Sequence, residues 1–334
     1  MLDSLHIKNF RCFEDLTIPS LGRVNLIVGK NSVGKSSILE AIYIFANRGN
    51  RTAIMDILSS RNEFFRTDDI IKDIFFNREC PNKNKDDNNL TIGNGEDRNF
   101  VYISCDKENH EYIKTGFQNE SDPFLQEALS LKERLIFRSE AIPCSIVHTD
   151  VRPEDDLAFL WDEVSINSEE DSIKEALKII TPKLVNIIFV KSPQENKQER
   201  IAIVKLKGES KGIPLKSFGE GMSRLLQIFL HSFQARGGFL LIDEFENGLH
   251  YSIQEDVWEK LFNLAKELDI QIFATTHSED TIKAFCKVAL ASEEEGRLIA
   301  LGRSPAPEDN NRIVAISYDE KEIAVISRTG MEVR

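Results

Sequence analysis

Residues 29–36 read Gly-Lys-Asn-Ser-Val-Gly-Lys-Ser, a complete G-x-x-x-x-G-K-[ST] spacing directly after the apolar run Val24–Val28. Residues of these types in this order hold a nucleoside triphosphate. Gly29 and Gly34 let the backbone curl so that the N–H groups of Lys30, Asn31, Ser32 and Val33 face anionic oxygens. Lys35 is placed to reach the β- and γ-phosphates, and the Ser36 hydroxyl to complete the shell of a Mg²⁺ ion. From Ser37 to Phe45 the apolar residues recur at helical spacing, which points a helix N-terminus at the same phosphates.

Phe239–Glu244 reads FLLIDE, four apolar residues followed by two carboxylates. The run fits a strand buried on both faces of a parallel sheet, with its acids at the end where α/β proteins bind ligands. Asp243 is placed to hold Mg²⁺, directly or through water. Glu244 is placed to orient and deprotonate an attacking water, because phosphoryl transfer needs positioning more than covalent help. Taken alone, a sheet strand ending in two surface acids explains the run about as well. The phosphate loop upstream changes that balance.

Ser217-Phe218-Gly219-Glu220-Gly221-Met222 opens a second helical run, Ser223–Arg236, in which Leu225, Leu226, Phe229, Leu230 and Phe233 share a face. Serine and two glycines at a helix start make a further anion-binding nest. One phosphate chain rarely needs two, so this nest suits a nucleotide held by another subunit. Beyond the acidic pair come Glu246-Asn247-Gly248-Leu249-His250 and the apolar strand Ile270–Thr276, which delivers His277. A histidine at a strand end is more often structural; the ordered set favours contact with a γ-phosphate.

Phosphate loop, S-x-G-x-G helix start, hydrophobic-DE, E-N-G-L-H and T-H-S occur in the order of ABC-type ATPase heads, and the chain resembles them. More narrowly it resembles the prokaryotic AAA-family ATPases related to the overcoming-lysogenization-defect proteins and chromosome-maintenance heads. The opening Leu5-His6-Ile7-Lys8-Asn9-Phe10-Arg11-Cys12-Phe13 is similar to the I-x-N-F-R-x-F start of those heads, and Arg312–Arg334 to their tail. The resemblance implies ATP and Mg²⁺ as cofactors, Lys35 and Ser36 at phosphate and metal, Asp243 at the metal, and Glu244 as base. It also implies His277 as γ-phosphate sensor, Ser217, Gly219 and Gly221 closing over ATP in a partner subunit, and Arg11 at the nucleotide. The signature is SFGEGM rather than the transporter-like LSGGQ, which argues against a membrane transporter subunit. No glutamine loop is evident, and Asn77 in Ile74-Phe75-Phe76-Asn77 stands nearest to its place.

The fold expected is α/β: an ABC-type head with a mixed, mainly parallel sheet, an antiparallel β subdomain and a helical lobe. Residues 1–115 and 236–334 would form the nucleotide-binding lobe, and residues 116–235 the helical lobe, including a helix over Ser168–Lys183. Residues 1–28, Leu90–Ile92, Phe100–Ser104 and stretches of 296–334 read as strands, the last joined by a turn at Ser304–Asn311. Ser252-Ile253-Gln254-Glu255 reads as a capping box opening a helix to about Leu268, with Ile253, Val257, Leu261, Leu264 and Leu268 inward. Asn82–Asn89 is a polar, low-complexity loop open to nicking. Internal repeats and sustained heptads are absent, which excludes a long coiled-coil arm.

With 334 residues and 41 % hydrophobic content the chain can bury a large core or two lobes. It has neither an apolar stretch of membrane-spanning length nor a signal-peptide pattern. Cys12, Cys80, Cys105, Cys144 and Cys286 are odd in number and without metal-ligand spacing, reading as reduced thiols in a cytoplasm. A net charge of −13 disfavours broad DNA coating. Residues 183–216 carry eight Lys/Arg against three Glu, enough to meet nucleic acid or an acidic partner, although solvated strand edges explain them better. Only 57 residues follow His277, too few for an appended nuclease domain. The expectation is therefore an ATPase that forms a homodimer or higher homo-oligomer around ATP and switches a separate nuclease or toxin, in a prokaryotic antiphage setting. A DNA-repair ATPase acting on DNA ends, or a scaffold constitutively bound to ATP, are the alternatives; Glu244 counts against the scaffold.

Overall fold

The computed structural model describes residues 1–63, 73–78, 89–94, 100–105, 113–118, 127–128, 141–150, 153–192, 199–329 and 333. The chain opens with a hairpin, β1 (Leu5–Phe10) and β2 (Phe13–Ile18), which buries Leu5, Ile7, Phe10, Phe13, Leu16 and Ile18. It then enters β3 (Val24–Gly29), buried at every position. The strands β4 (Leu90–Gly93), β5 (Phe100–Cys105), β6 (Ile113–Gln118) and β7 (Glu127–Ala128) join the hairpin in a six-stranded antiparallel sheet, order β2-β1-β4-β5-β6-β7.

A strand with no wet face belongs inside a sheet covered on both sides. Besides β3, this is true of β12 (Phe239–Ile242) and β13 (Gln271–Thr275). β3 pairs in parallel with β13, and β13 with β12; β8 (Cys144–Val147) adds another parallel strand beside β12. On the opposite side β14 (Gly296–Arg303) runs parallel to β3, and β15 (Ile313–Tyr318) closes the edge antiparallel. The mixed, mainly parallel sheet anticipated from the sequence is thus present, in the order β15-β14-β3-β13-β12-β8.

Alternate residues of the central strands feed two cores. Ile27, Leu241, Phe273 and Ile299 pack with the hairpin and with α1 (Lys35–Ala46) and α2 (Arg51–Ser60). Leu26, Val28, Leu240, Ile242 and Ile272 face a larger cluster built by α3 (Glu154–Ile166), α4 (Glu170–Leu177), α5 (Glu220–Gln234), α6 (Gln254–Glu267) and α7 (Glu279–Ala291). Within it Trp258 stacks on Phe245 at 3.9 Å between ring centroids, and Phe285 meets Trp258 edge-on at 5.1 Å. Such pairs add about 0.5–1.5 kcal/mol each beyond area burial. The Phe245–Trp258 stack also clamps the segment after β12 against α6.

Several expectations are corrected. Within residues 116–235, β8 belongs to the central sheet. β9 (Leu184–Lys191), β10 (Arg200–Leu206) and β11 (Ile213–Pro214) form a three-stranded antiparallel sheet, so that lobe is helix plus sheet. The basic run at 183–216 is mostly these strands and their turns; Lys197 lies outside the described residues. The helix expected over Ser168–Lys183 is shorter, because α4 stops at Leu177 and turns carry the chain to β9. Among its described residues the tail holds two strands, β14 and β15, and then a helix, α8 (Glu320–Thr329). Asp319 and Glu322 cap α8 reciprocally: each side-chain carboxylate accepts the other residue's N–H at 2.9 Å. The capping box expected at Ser252–Glu255 does not form. A 3₁₀ turn, Tyr251–Ile253, precedes α6, and Ser252 N–H bonds the His250 ring instead. The loop at 82–88 and residues 330–332 and 334 lie outside the described residues.

Candidate functional site

β3 ends in the loop 30–34, and α1 begins at Lys35 with Gly34 as its N-cap in the left-handed region, φ +91°. A Cβ on Gly34 would fall 2.5 Å from Cys12 Sγ and 2.6 Å from the Phe13 ring. The turn between β1 and β2 therefore packs directly on the loop, and only glycine satisfies both the backbone and the space. Lys35 Nζ donates to the carbonyls of Gly29 at 2.8 Å and Lys30 at 3.1 Å, which holds the ammonium over the loop.

Three elements converge at the first turn of α1. Ser36 Oγ donates to Asp243 Oδ1 at 3.0 Å, and Thr275 Oγ1 donates to the same oxygen at 2.6 Å. Thr275 Oγ1 in turn accepts the Glu244 N–H at 2.9 Å. Asp243 and Glu244 follow β12, and Glu244 has φ +48°, an uncommon conformation for a side chain of this kind. Two hard oxygens, the Ser36 hydroxyl and the Asp243 carboxylate, meet at the first turn of α1 and would suit a divalent cation. Among the described residues there is no group of three His, Cys, Asp or Glu side chains able to hold a metal alone. A site with one carboxylate, one hydroxyl and the remaining positions open fits Mg²⁺, which keeps waters and shares phosphate oxygens.

These residues line a cleft of about 880 Å³. Its wall includes Arg11, Asn31, Ser32, Gly34, Lys35, Ser36, Ser37, Asp243, Glu244 and Thr275, and farther out Phe75–Arg78, Arg303 and Asn310–Ile313. Asn77 is on that wall with φ +55°. Gly29, Lys30 and Val33 do not border it. The Arg11 guanidinium is already held: Nε meets Glu40 at 3.2 Å, and Nη1 meets Glu63 and the Asp73 carbonyl at 2.9 Å each. Burial pushes the Glu40 carboxyl above its ordinary range, against the opposing pull of Arg11 and Arg61. Arg11 thus sits at the cleft as part of a buried ion network.

His277 stands outside the cleft wall. Glu246 Oε1 accepts its backbone N–H at 2.9 Å and lies 3.0 Å from Nδ1, while Oε2 accepts the Thr276 hydroxyl at 2.7 Å. The histidine is therefore oriented by the segment after Glu244, with 54 % of its side chain exposed. Ser217, Gly219 and Gly221 are also not brought to this cleft. Ser217 lies in the 3₁₀ turn Leu215–Phe218, and nothing lies within 4 Å of where a Gly219 Cβ would be. At Gly221 a Cβ would meet the Gly248 carbonyl at 2.7 Å, so the start of α5 is pressed against the segment leaving β12.

Two residues at the site carried no motif. Thr275, the penultimate residue of the IQIFATT strand, bonds both Asp243 and Glu244. Arg224, on α5, donates to the carbonyls of His148, Asp243 and Glu244. The only sequence signal for Arg224 was a charge placed between Met222 and Leu225 on the helix.

A protein described as an ATP/GTP phosphatase from Helicobacter pylori is 23 % identical over 86 % of this chain and 88 % of its own length. An OLD nuclease from Thermus scotoductus is 55 % identical over 42 residues, 13 % of this chain and 8 % of that protein. The crystal structure of an Smc head bound to the C-winged helix domain of ScpA superposes with a TM-score of 0.56 at 14 % identity, covering 97 % of this chain and 99 % of that one. The fold is that of an Smc head. The AAA ATPase domain (AAA_15) model matches residues 1–143 and 145–282, which include both the loop 30–34 and the Asp243–Glu244 turn. With that match laid over this cleft, the chain belongs to the AAA ATPase domain family and is an ATPase.

Proposed function

We propose that the chain binds Mg·ATP in the cleft between the phosphate loop and the Asp243–Glu244 turn, and that hydrolysis is completed by a second copy of the chain. The observation that carries this reading is that Asp243 Oδ1 accepts from both Ser36 and Thr275 while Thr275 accepts the Glu244 N–H, with Ser217, Gly219 and Gly221 outside that cleft and Gly219 facing open space. The loop amides and Lys35 bind the β- and γ-phosphates. Ser36 and Asp243 hold the metal, which when bound neutralises charge developing on the phosphate oxygens. Glu244 orients the attacking water and accepts its proton, while Thr275 fixes the base through its backbone amide. His277, held by Glu246, is directed at the γ-phosphate from the rim. Ser217, Gly219 and Gly221 of a second copy cover that phosphate from outside, with the helix dipole of α5 behind them.

Assembly around ATP and release after hydrolysis make a switch, and its output is a separate effector. The Smc head of similar fold is itself bound to a partner domain, a precedent for partners docking on this fold. Prokaryotic antiphage defence is the proposed setting. Mixing two inactive variants tests the composite site: in a head-to-tail pair, Lys35→Ala and Gly219→Arg leave one intact site between them. Activity recovered on mixing supports the shared site, whereas ATPase activity that is strictly monomeric and independent of concentration rejects it. A rate that rises strongly on adding DNA would favour the repair reading instead.

A further inference from the structure

Arg224 is 0 % exposed, an unusual position for a guanidinium. It lies one turn inside α5, beyond the glycine pair that opens the helix. Its Nη1 donates to the His148 carbonyl after β8, and its Nη2 donates to the carbonyls of Asp243 at 2.6 Å and Glu244 at 3.1 Å. All three acceptors are main-chain oxygens just beyond the ends of β8 and β12, and the Glu244 carbonyl also accepts the Asn247 N–H at 3.0 Å. A buried cation is expensive unless its donors are used; here Nη2 is spent on the turn that carries both acids and Nη1 on the His148 carbonyl, while Nε is buried without a partner. Burial lowers its pKa to about 10, with Asp243, Glu244 and Glu246 pulling the other way, so it stays protonated at neutral pH.

That turn needs holding. Glu244 has φ +48°, and backbone of this kind persists only when its surroundings over-determine it. The bonds from Thr275 to the Glu244 amide and from Arg224 to its carbonyl fix both sides of the residue. The same helix touches the next part of the segment, where Gly221 leaves 2.7 Å between a would-be Cβ and the Gly248 carbonyl. Residues 243–248 and the first turns of α5 are therefore joined at two points, one a tight approach of the two backbones at Gly221 and Gly248, one charged and hydrogen-bonded.

We propose that Arg224 is a positioning residue for ATP hydrolysis, one that keeps the Asp243–Glu244 turn in its left-handed bend and carries closure at the Ser217–Gly221 turn into the placement of the Glu244 carboxylate. The inference rests on the assignment of Glu244 as base. Arg224 touches no reacting atom in this scheme; it acts through the main chain of the residue that does.

The test is a double-mutant cycle on the full-length chain with Arg224→Met, Arg224→Lys, Glu244→Gln and the Met/Gln double variant. Mg·ATP affinity, kcat and the melting transition are read for each. Arg224→Met is expected to lower kcat by about 10²-fold, the effect of misplacing a catalytic group by about 1 Å. ATP affinity should stay within about threefold, because the phosphate loop is not touched. Arg224→Lys keeps the charge without the fork and should fall between. The decisive result is the double variant: acting through Glu244, the arginine has nothing further to remove, so kcat should equal that of Glu244→Gln alone. Multiplicative losses would overturn the inference, since they would show an effect independent of the base. So would a wild-type kcat in Arg224→Met beside an inactive Glu244→Gln, with the base assignment left standing. A wild-type kcat in Glu244→Gln would remove the base assignment and this inference together. If neither Arg224 variant melts cooperatively, the guanidinium is a folding requirement and the inference also fails.

Discussion

Thr275→Val removes one hydroxyl from the centre of the cleft and little else. Thr275 is fully buried at the end of β13, and valine keeps its branched shape. Two hydrogen bonds disappear: the one donated to Asp243 Oδ1 at 2.6 Å and the one accepted from Glu244 N–H at 2.9 Å. A bond to an ionised group contributes about 1.5–3 kcal/mol, and a buried N–H left without a partner costs about 1–3 kcal/mol. Ser36 continues to donate to Asp243 at 3.0 Å, which places the combined loss toward the lower ends of those ranges. We expect about 2.5–4 kcal/mol in stability. Half of that expressed in the placement of the base would slow kcat about tenfold or more, since each 1.36 kcal/mol is a factor of ten. Thr275→Ser keeps both hydrogen bonds and serves as control. Urea unfolding midpoints and steady-state ATPase rates for the pair separate the hydroxyl from the methyl. A valine variant as stable and as fast as the serine variant would refute the reasoning.

Lys35→Ala should abolish Mg·ATP binding in titration calorimetry, because the phosphates lose their main compensating cation. Gly221→Ala drives a Cβ to 2.7 Å from the Gly248 carbonyl; overpacking of this kind costs about 1–3 kcal/mol, and the melting temperature should drop with kcat while ATP affinity holds. Cys286 is buried, and its thiol is pushed up to about 11 from 9.0. In native protein at pH 9 it should therefore resist a disulfide reagent that attacks thiolates, and react once urea unfolds the chain. Fast native labelling of Cys286, read by peptide mapping, would contradict that burial.

The phosphate loop and the FLLIDE strand were legible because their chemistry is local. A loop that must curl around phosphates and a strand with no wet face each fix residue types at short spacing. Ser36 and Asp243 lie far apart in sequence, yet both were readable, because each carries its motif with it. Thr275 and Arg224 were not, since their significance lies in what the fold brings opposite them. Arg224 has three carbonyl partners that no spacing announces. The tail failed for a different reason. Ile323, Ala324, Val325 and Ile326 include β-branched residues that favour strands, but the reciprocal Asp319–Glu322 cap and burial of Ile323 and Ile326 on one face set a helix. At Ser252–Glu255 the spacing of a capping box was present, but the His250 ring took the Ser252 amide first. For Arg11 the motif placed the residue at the cleft, and only the structure shows Glu40 and Glu63 holding its guanidinium.

The central claim is that ATP, not ADP, joins two copies of this chain across the Ser217–Gly221 turn. Sedimentation of Glu244→Gln with Mg·ATP and with Mg·ADP tests it directly, because ATP then persists through the run. A mass of two chains with ATP and one with ADP is expected, with the ATP form lost when Gly219→Arg is added. The same mass in both nucleotides, or an ATP dimer that Gly219→Arg leaves intact, would contradict it.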